Sequence, residues 1–138
     1  MRYKTLIKLA LLCWSLAGVV VAVPAVAGDV YVIAHPGVGV GAEELRDIYL
    51  GEKQFSGSTK VVPVDNAAAQ SDFLAKALTI GASKYAALWV KKGFRGAMAA
   101  PLVMSGDAEV INYVKITPGA IGYVNAAGHP GVKYLFKY

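Results

Sequence analysis

The stretch Gly41-Ala-Glu-Glu-Leu-Arg-Asp-Ile-Tyr-Leu-Gly51 decides how this chain folds. Leu45, Ile48 and Tyr49 stand at i, i+3 and i+4, the spacing that places side chains on one face of an α-helix. Glu43 and Glu44 fall in the first turn, where the helix dipole favours anions. Gly51 stands where a left-handed C-terminal cap is expected. A run that is apolar at every position, residues 30–34, comes before it, and Lys60-Val-Val-Pro-Val64 comes after. The helix is therefore expected to be the crossover of a β-α-β unit. A continuously apolar strand suits a sheet covered on both faces, as in α/β folds.

Upstream of this unit the sequence is of another kind. Arg2, Lys4 and Lys8 precede an apolar segment over residues 9–23, broken only by Ser15, and Pro24-Ala-Val-Ala27 ends in a small-x-small pattern. This is the composition of a secretory signal peptide, with cleavage expected after Ala27. An uncleaved anchor is the alternative, but the apolar segment is short for a span of about 20 residues. Leu11-Leu12 before Cys13 do not fit a lipoprotein signal. Of 138 residues, a leader of 27 leaves 111, enough for one small domain over residues 28–138. Cys13 is the chain's one cysteine, so the mature domain has no disulfide, thiolate metal site or cysteine nucleophile. Export without disulfides points to a bacterial periplasm. The leader also carries three of the cations, so the net charge of +5 falls to +2. No dense Lys/Arg run with interleaved aromatics remains, which argues against nucleic-acid binding.

Downstream, His35-Pro-Gly-Val-Gly-Val-Gly41 reads as a loop whose glycines permit close backbone approach or positive φ. Its spacing is not that of a dinucleotide fingerprint. Residues 52–59 are polar and turn-rich, with Phe55 expected at the edge of the core. After the strand over residues 61–64, Asp65-Asn-Ala-Ala-Ala-Gln-Ser71 leads into a helix with Ser71 as N-cap, an apolar stripe of Phe73, Leu74, Ala77 and Leu78, and a stop at Gly81. Ser83 is expected to cap a helix over residues 84–92, with Ala86, Trp89 and Val90 inward and a stop at Gly93. Residues 94–104 read as a connecting loop, with Arg95 in a surface ion pair. Ser105 or Asp107 caps a helix through Lys115 that buries Val110, Ile111 and Val114. Thr117-Pro-Gly119 is a turn, residues 121–124 a short strand, and residues 132–138 an edge strand.

Leu45-Arg-Asp-Ile-Tyr-Leu-Gly51, then Val61-Val-Pro-Val64, then Thr117-Pro-Gly-Ala-Ile-Gly-Tyr-Val124 together resemble the phosphate-binding, PstS-type periplasmic proteins of ABC transporters, and above all their short single-lobe relatives. The resemblance covers nearly all of the chain after residue 28. It implies an α/β fold: a single three-layer lobe of the type II periplasmic-binding-protein kind, with a mixed, mostly parallel sheet and helices on both faces. It implies a periplasmic solute-binding protein that takes phosphate or a related oxyanion for uptake or sensing, with a membrane transporter or sensor as partner. The second loop, Asp65 to Ser71, matches a family segment in which an arginine and a Ser-Gly-Thr-like run hold the oxyanion. Here no arginine or glycine stands between Asp65 and Phe73, and Gln70 occupies about the arginine's place.

Ligands of such lobes are expected at strand C-termini and helix N-termini. The candidate oxyanion-binding residues are therefore Asn66, Gln70 and Ser71 in the second loop and Gly37 and Gly39 in the first. One lobe leaves half a cleft, so a homodimer or another protein would supply the other wall. A degenerate lobe acting through protein contact with a membrane sensor, transporter or porin is the alternative. No metal or cofactor is expected. His35 and His129 each sit in a Pro/Gly turn without ligand spacing, Glu43 and Glu44 point to different sides of a helix, and no nucleophile elbow exists, all of which argues against an enzyme.

Overall fold

The computed structural model describes residues 28–96 and 98–138. The expected leader and Cys13 lie outside the described residues. In chain order the elements are β1 (Tyr31–Ala34), α1 (Ala42–Tyr49), β2 (Phe55–Ser56), β3 (Thr59–Lys60), β4 (Val62–Asn66), α2 (Gln70–Phe73), α3 (Ala82–Phe94), β5 (Leu102–Met104), α4 (Asp107–Ile116), β6 (Ala120–Val124) and β7 (Lys133–Lys137).

Five strands form one sheet in the order β5-β4-β6-β1-β7, and β2 and β3 make a separate hairpin. β4 runs parallel to both β5 and β6. β1 runs antiparallel to both β6 and β7. The sheet is thus mixed and mostly parallel, with β1 the strand of opposite direction. This corrects the β-α-β expectation. α1 joins two strands that run in opposite directions and have β6 between them, so it is not a parallel crossover.

Alternation along the strands sends neighbouring side chains to opposite faces. Val32, Ala34, Ile121 and Tyr123 point to the face covered by α1, α2 and α3. Ile33, Val64, Ala120 and Val124 point to α4, which contributes Val110, Ile111 and Val114. Helices therefore cover both faces, and the sheet is the middle of three layers. Gly122 allows the α4 layer to approach: a Cβ there would stand 2.6 Å from Val110 Cγ1 and 3.1 Å from Val64 Cγ2.

α1 is built as its sequence specifies. Leu45, Ile48 and Tyr49 are buried, Glu44 reaches back to accept the Gly41 N–H at 3.1 Å, and Gly51 takes φ +72°. Tyr49 ties this helix to the sheet. Its hydroxyl donates to Val64 O at 2.9 Å, with Ile121 O at 3.2 Å, and Trp89 Nε1 donates to Tyr49 O at 3.2 Å.

Other local expectations are corrected. Ala69, not Ser71, stands at the N-cap of α2, and Ser71 lies inside the helix. α2 widens into a π-helical turn, Leu74–Leu78, and stops at Thr79 in the left-handed region rather than at Gly81. Arg46 Nη1 donates there to Leu78 O at 2.6 Å and Thr79 Oγ1 at 3.2 Å, placing a cation at the negative end of the helix. α3 begins at Ala82 after Gly81 and continues through Gly93 to Phe94. It buries Tyr85 and Trp89, while Ala86 and Val90 face outward. The segment read as a connecting loop contains edge strand β5. Phe55 is half exposed on the hairpin instead of closing the core. Gly106 is the N-cap of α4, and Ser105 instead donates to Glu109 Oε1 at 2.8 Å. Arg95 joins no ion pair among the described residues.

Candidate functional site

The direction of β1 decides how the two candidate loops are placed. β1 ends beside the start of β6, where the His35 N–H donates to Ala120 O at 2.9 Å. β4 also starts there, with the Val62 N–H donating to Gly119 O at 2.9 Å. The loop carrying Gly37 and Gly39 therefore lies at the N-terminal end of β4. Asn66, Gln70 and Ser71 lie at its C-terminal end, one strand length away, roughly 15 Å at about 3.3 Å per residue. Both loops follow their own strands as read from the sequence, but the fold does not bring them together.

At the first loop, none of Gly37, Gly39 and Gly41 takes positive φ. A Cβ built on Gly37 would meet nothing within 4 Å, and one on Gly39 would stand 3.7 Å from Lys133 Nζ. Gly39 O accepts from Ser56 Oγ at 2.8 Å, which pins the loop to the hairpin. Lys53 forms an ion pair with Glu44, and this contact, followed by the Gly41 N–H, holds the Glu44 carboxyl below its usual range. The entrance to α1 is thus occupied by the helix's own carboxylate.

At the second loop, Asn66 is fully buried. Its Nδ2 donates to Asp107 Oδ1 at 2.8 Å and Tyr123 O at 3.0 Å, and its Oδ1 accepts the Ala68 N–H at 3.0 Å. This amide closes β4 onto β6 and the start of α4, with its donors and acceptor committed to protein. Asp107 also accepts the Asn125 N–H at 3.1 Å, and Asn125 Nδ2 donates to Ala68 O at 3.3 Å. Ser71 is exposed and Gln70 half-buried at the first turn of α2. Gln70 and Ser71 are the members of the candidate set here that can meet a solute. Three acidic groups belong to this region: Asp65 and Asp72 flank the two residues in sequence, and Asp107 is brought in by its bond with Asn66.

Beneath this loop lies a buried carboxylate. Asp65 is 2% exposed, and accepts from Tyr123 Oη at 2.8 Å and Tyr85 Oη at 2.9 Å. Burial pushes its carboxyl above the usual range, and the hydroxyls of Tyr123 and Tyr85, then Gln70, pull it partway back. Both tyrosines are raised, first by burial and then by the Asp65 charge. A carboxyl with a raised folded-state pKa binds its proton more tightly in the folded chain. Its stabilising contribution is complete below the unfolded pKa and is lost as pH rises through the folded one. Asp65→Asn keeps a polar partner for the two hydroxyls and removes that dependence. Urea titrations from pH 4 to pH 8 are expected to show a flatter stability profile for the variant; an unchanged slope would refute the role of Asp65.

Sequence reading missed Tyr85, Asp107, Tyr123 and Asn125 as parts of this region. Tyr123 and Asn125 stand two apart at the end of an apolar strand, and Asp107 opens a helix. Those signals place them at element ends, but nothing local says that the ends of β4, β6 and α4 converge.

No protein-family model matches the sequence, and no curated protein matches it. Among solved structures the chain is similar to an ABC-type phosphate transport receptor from Vibrio cholerae. The TM-score is 0.51 at 14% identity, covering 79% of this chain and 46% of that one. PstS from Borrelia burgdorferi is a second neighbour, with TM-score 0.47 and 17% identity over 70% of this chain and 41% of that one. The chain spans less than half the length of either. At this identity the likeness is one of fold: the three-layer arrangement of the chain is similar to part of the Vibrio cholerae receptor.

Proposed function

We propose that the chain is an exported solute-binding lobe of the phosphate-receptor kind, working in the periplasm after removal of residues 1–27, with a membrane transporter or sensor as its partner. The observation that carries this is the fold shared with the Vibrio cholerae receptor over 79% of the chain. The candidate ligand is phosphate or a related oxyanion, held at the end of β4 by Ser71, by Gln70 and by the free N–H groups of the first turn of α2. Among the described residues no cation bonds to these groups, and charge-assisted contacts are the strong ones. The isolated lobe is therefore expected to bind weakly, with Kd about 0.1–1 mM, and to need a second wall from a partner or a second copy. Calorimetry on residues 28–138 with phosphate, then sulfate, tests this. Saturable heat in that range, weakened by Gln70→Ala or Ser71→Ala, is the expected outcome. No heat up to about 10 mM would overturn the oxyanion reading.

A second reading is favoured by one specific feature. Asn66 is consumed by Asp107 and Tyr123, and β5 leaves Leu102 and Val103 about 60% exposed on a free sheet edge. A lobe without ligand that acts through protein contact would use that edge. Absent heat combined with a membrane-protein crosslink at residue 103 would support this reading over the first.

A further inference from the structure

The outer side of α3 carries a feature unrelated to either candidate loop. Tyr85 and Trp89 turn inward, so at about 100° per residue Val90 and Phe94 lie on the opposite side of the helix, one turn apart. Val90 is 59% exposed and Phe94 89%. Alongside this ridge runs a second strip, Lys84, Leu88, Lys91 and Arg95, at i, i+4, i+7 and i+11. It borders a shallow hollow of about 470 Å³ that Lys92 and Glu52 also line. Lys92 Nζ lies 3.3 Å from Glu52 Oε1, whereas Lys84, Lys91 and Arg95 pair with no carboxylate among the described residues.

We infer that this face of α3 is a docking surface for an anionic lipid bilayer. A basic hollow alone would serve any polyanion, and an apolar ridge alone any apolar partner. Here uncompensated cations adjoin a protruding phenylalanine on a convex helix side. That arrangement fits a flat surface with phosphate headgroups above and acyl chains below, the cations taking the headgroups and Phe94 the boundary beneath them. The surface lies on a different element from the proposed oxyanion contacts, so failure of one reading leaves the other standing.

Flotation with vesicles tests the inference on residues 28–138, which carry both core clusters of the described residues. Binding is expected to vesicles of phosphatidylcholine mixed with phosphatidylglycerol and not to phosphatidylcholine alone, and to weaken with salt. Each cation removed from the strip should weaken it about fivefold, so Lys91→Ala with Arg95→Ala should do so by more than about tenfold. Phe94→Ser should cost about tenfold. Lys133→Ala, at the edge strand, should leave binding unchanged. Binding equal on both vesicles, binding to neither, or an equal loss with Lys133→Ala would overturn the proposal. Capture of soluble polyglutamate without vesicle binding would overturn it in favour of an acidic protein partner.

Discussion

Replacing Asn66 by alanine is expected to destabilise the fold by about 3 kcal/mol and to lower Tm by roughly 10–20 °C. The size follows from what the change leaves behind. Asn66 is fully buried and makes three hydrogen bonds, to Asp107, Tyr123 O and the Ala68 N–H. Alanine removes the amide but leaves a carbonyl, a carboxylate oxygen and an N–H at the junction of β4, β6 and α4. Leaving a buried polar group without its partner costs about 1–3 kcal/mol, more than the bond itself contributes. Water entering from the exposed side of Asp107 offsets part of this. Asn66→Asp separates the two components: it keeps the acceptor for Ala68 but sets a carboxylate against Asp107, so its defect should deepen as pH rises above the carboxylate range. Thermal melts and urea titrations of both variants provide the measurement. A loss below about 1 kcal/mol for alanine would mean that the network does not hold the junction, and would reopen Asn66 as a ligand-facing residue.

Gly119→Ala should have an effect as large or larger, about 3–5 kcal/mol, and some preparations will not fold. Two costs combine. Gly119 takes φ +82°, and the Ala120 N–H donates to Thr117 O at 3.1 Å, which makes Thr117-Pro-Gly-Ala120 a type II turn with glycine at the position that needs positive φ. A Cβ there would also stand 2.2 Å from Lys60 O. That oxygen belongs to the backbone leading into β4, so no side-chain rotation relieves the overlap and the pairing of β4 with β6 must shift. Gly37→Ala is the matched control, because Gly37 has neither positive φ nor a neighbour within 4 Å, and its stability should stay within about 0.5 kcal/mol. Pro118→Ala keeps the test readable if Gly119→Ala fails to fold, since it loosens the same turn without the overlap and should cost at most about 1 kcal/mol. Equal stabilities for Gly119→Ala and Gly37→Ala would show that neither the turn nor the close approach constrains the fold.

These two residues differ in how visible they were. The Pro-Gly turn, and glycine's part in it, can be read from four consecutive residues, because a type II turn is a local backbone object. Asn66 was legible as a polar residue at a strand end, and the sequence offered it as a ligand contact. Two of its three partners come from positions 41 and 57 residues further along the chain. No local pattern reports such a distance, and a buried amide and an exposed one are written with the same letter.

Taken by itself, the sequence determined the elements whose cause is short-range. The stripe of Leu45, Ile48 and Tyr49 made α1, the alternation and continuity of apolar residues made β1, β4, β6 and β7, and the spacing of Val110, Ile111 and Val114 made the inner face of α4. Together with three motifs resembling phosphate-receptor proteins, these sufficed for a three-layer α/β lobe. Tertiary structure alone decided strand direction, and with it the layout of the site. Hydrophobic periodicity states which face of a strand is buried but is the same read in either direction. The antiparallel placement of β1 beside β6 therefore could not be seen locally, and it is what sets Gly37 and Gly39 at one end of the sheet and Gln70 and Ser71 at the other. Tertiary contact also decided which side of α3 faces in. Its apolar residues surround much of the helix, so only docking of Tyr85 and Trp89 left Val90 and Phe94 in the open.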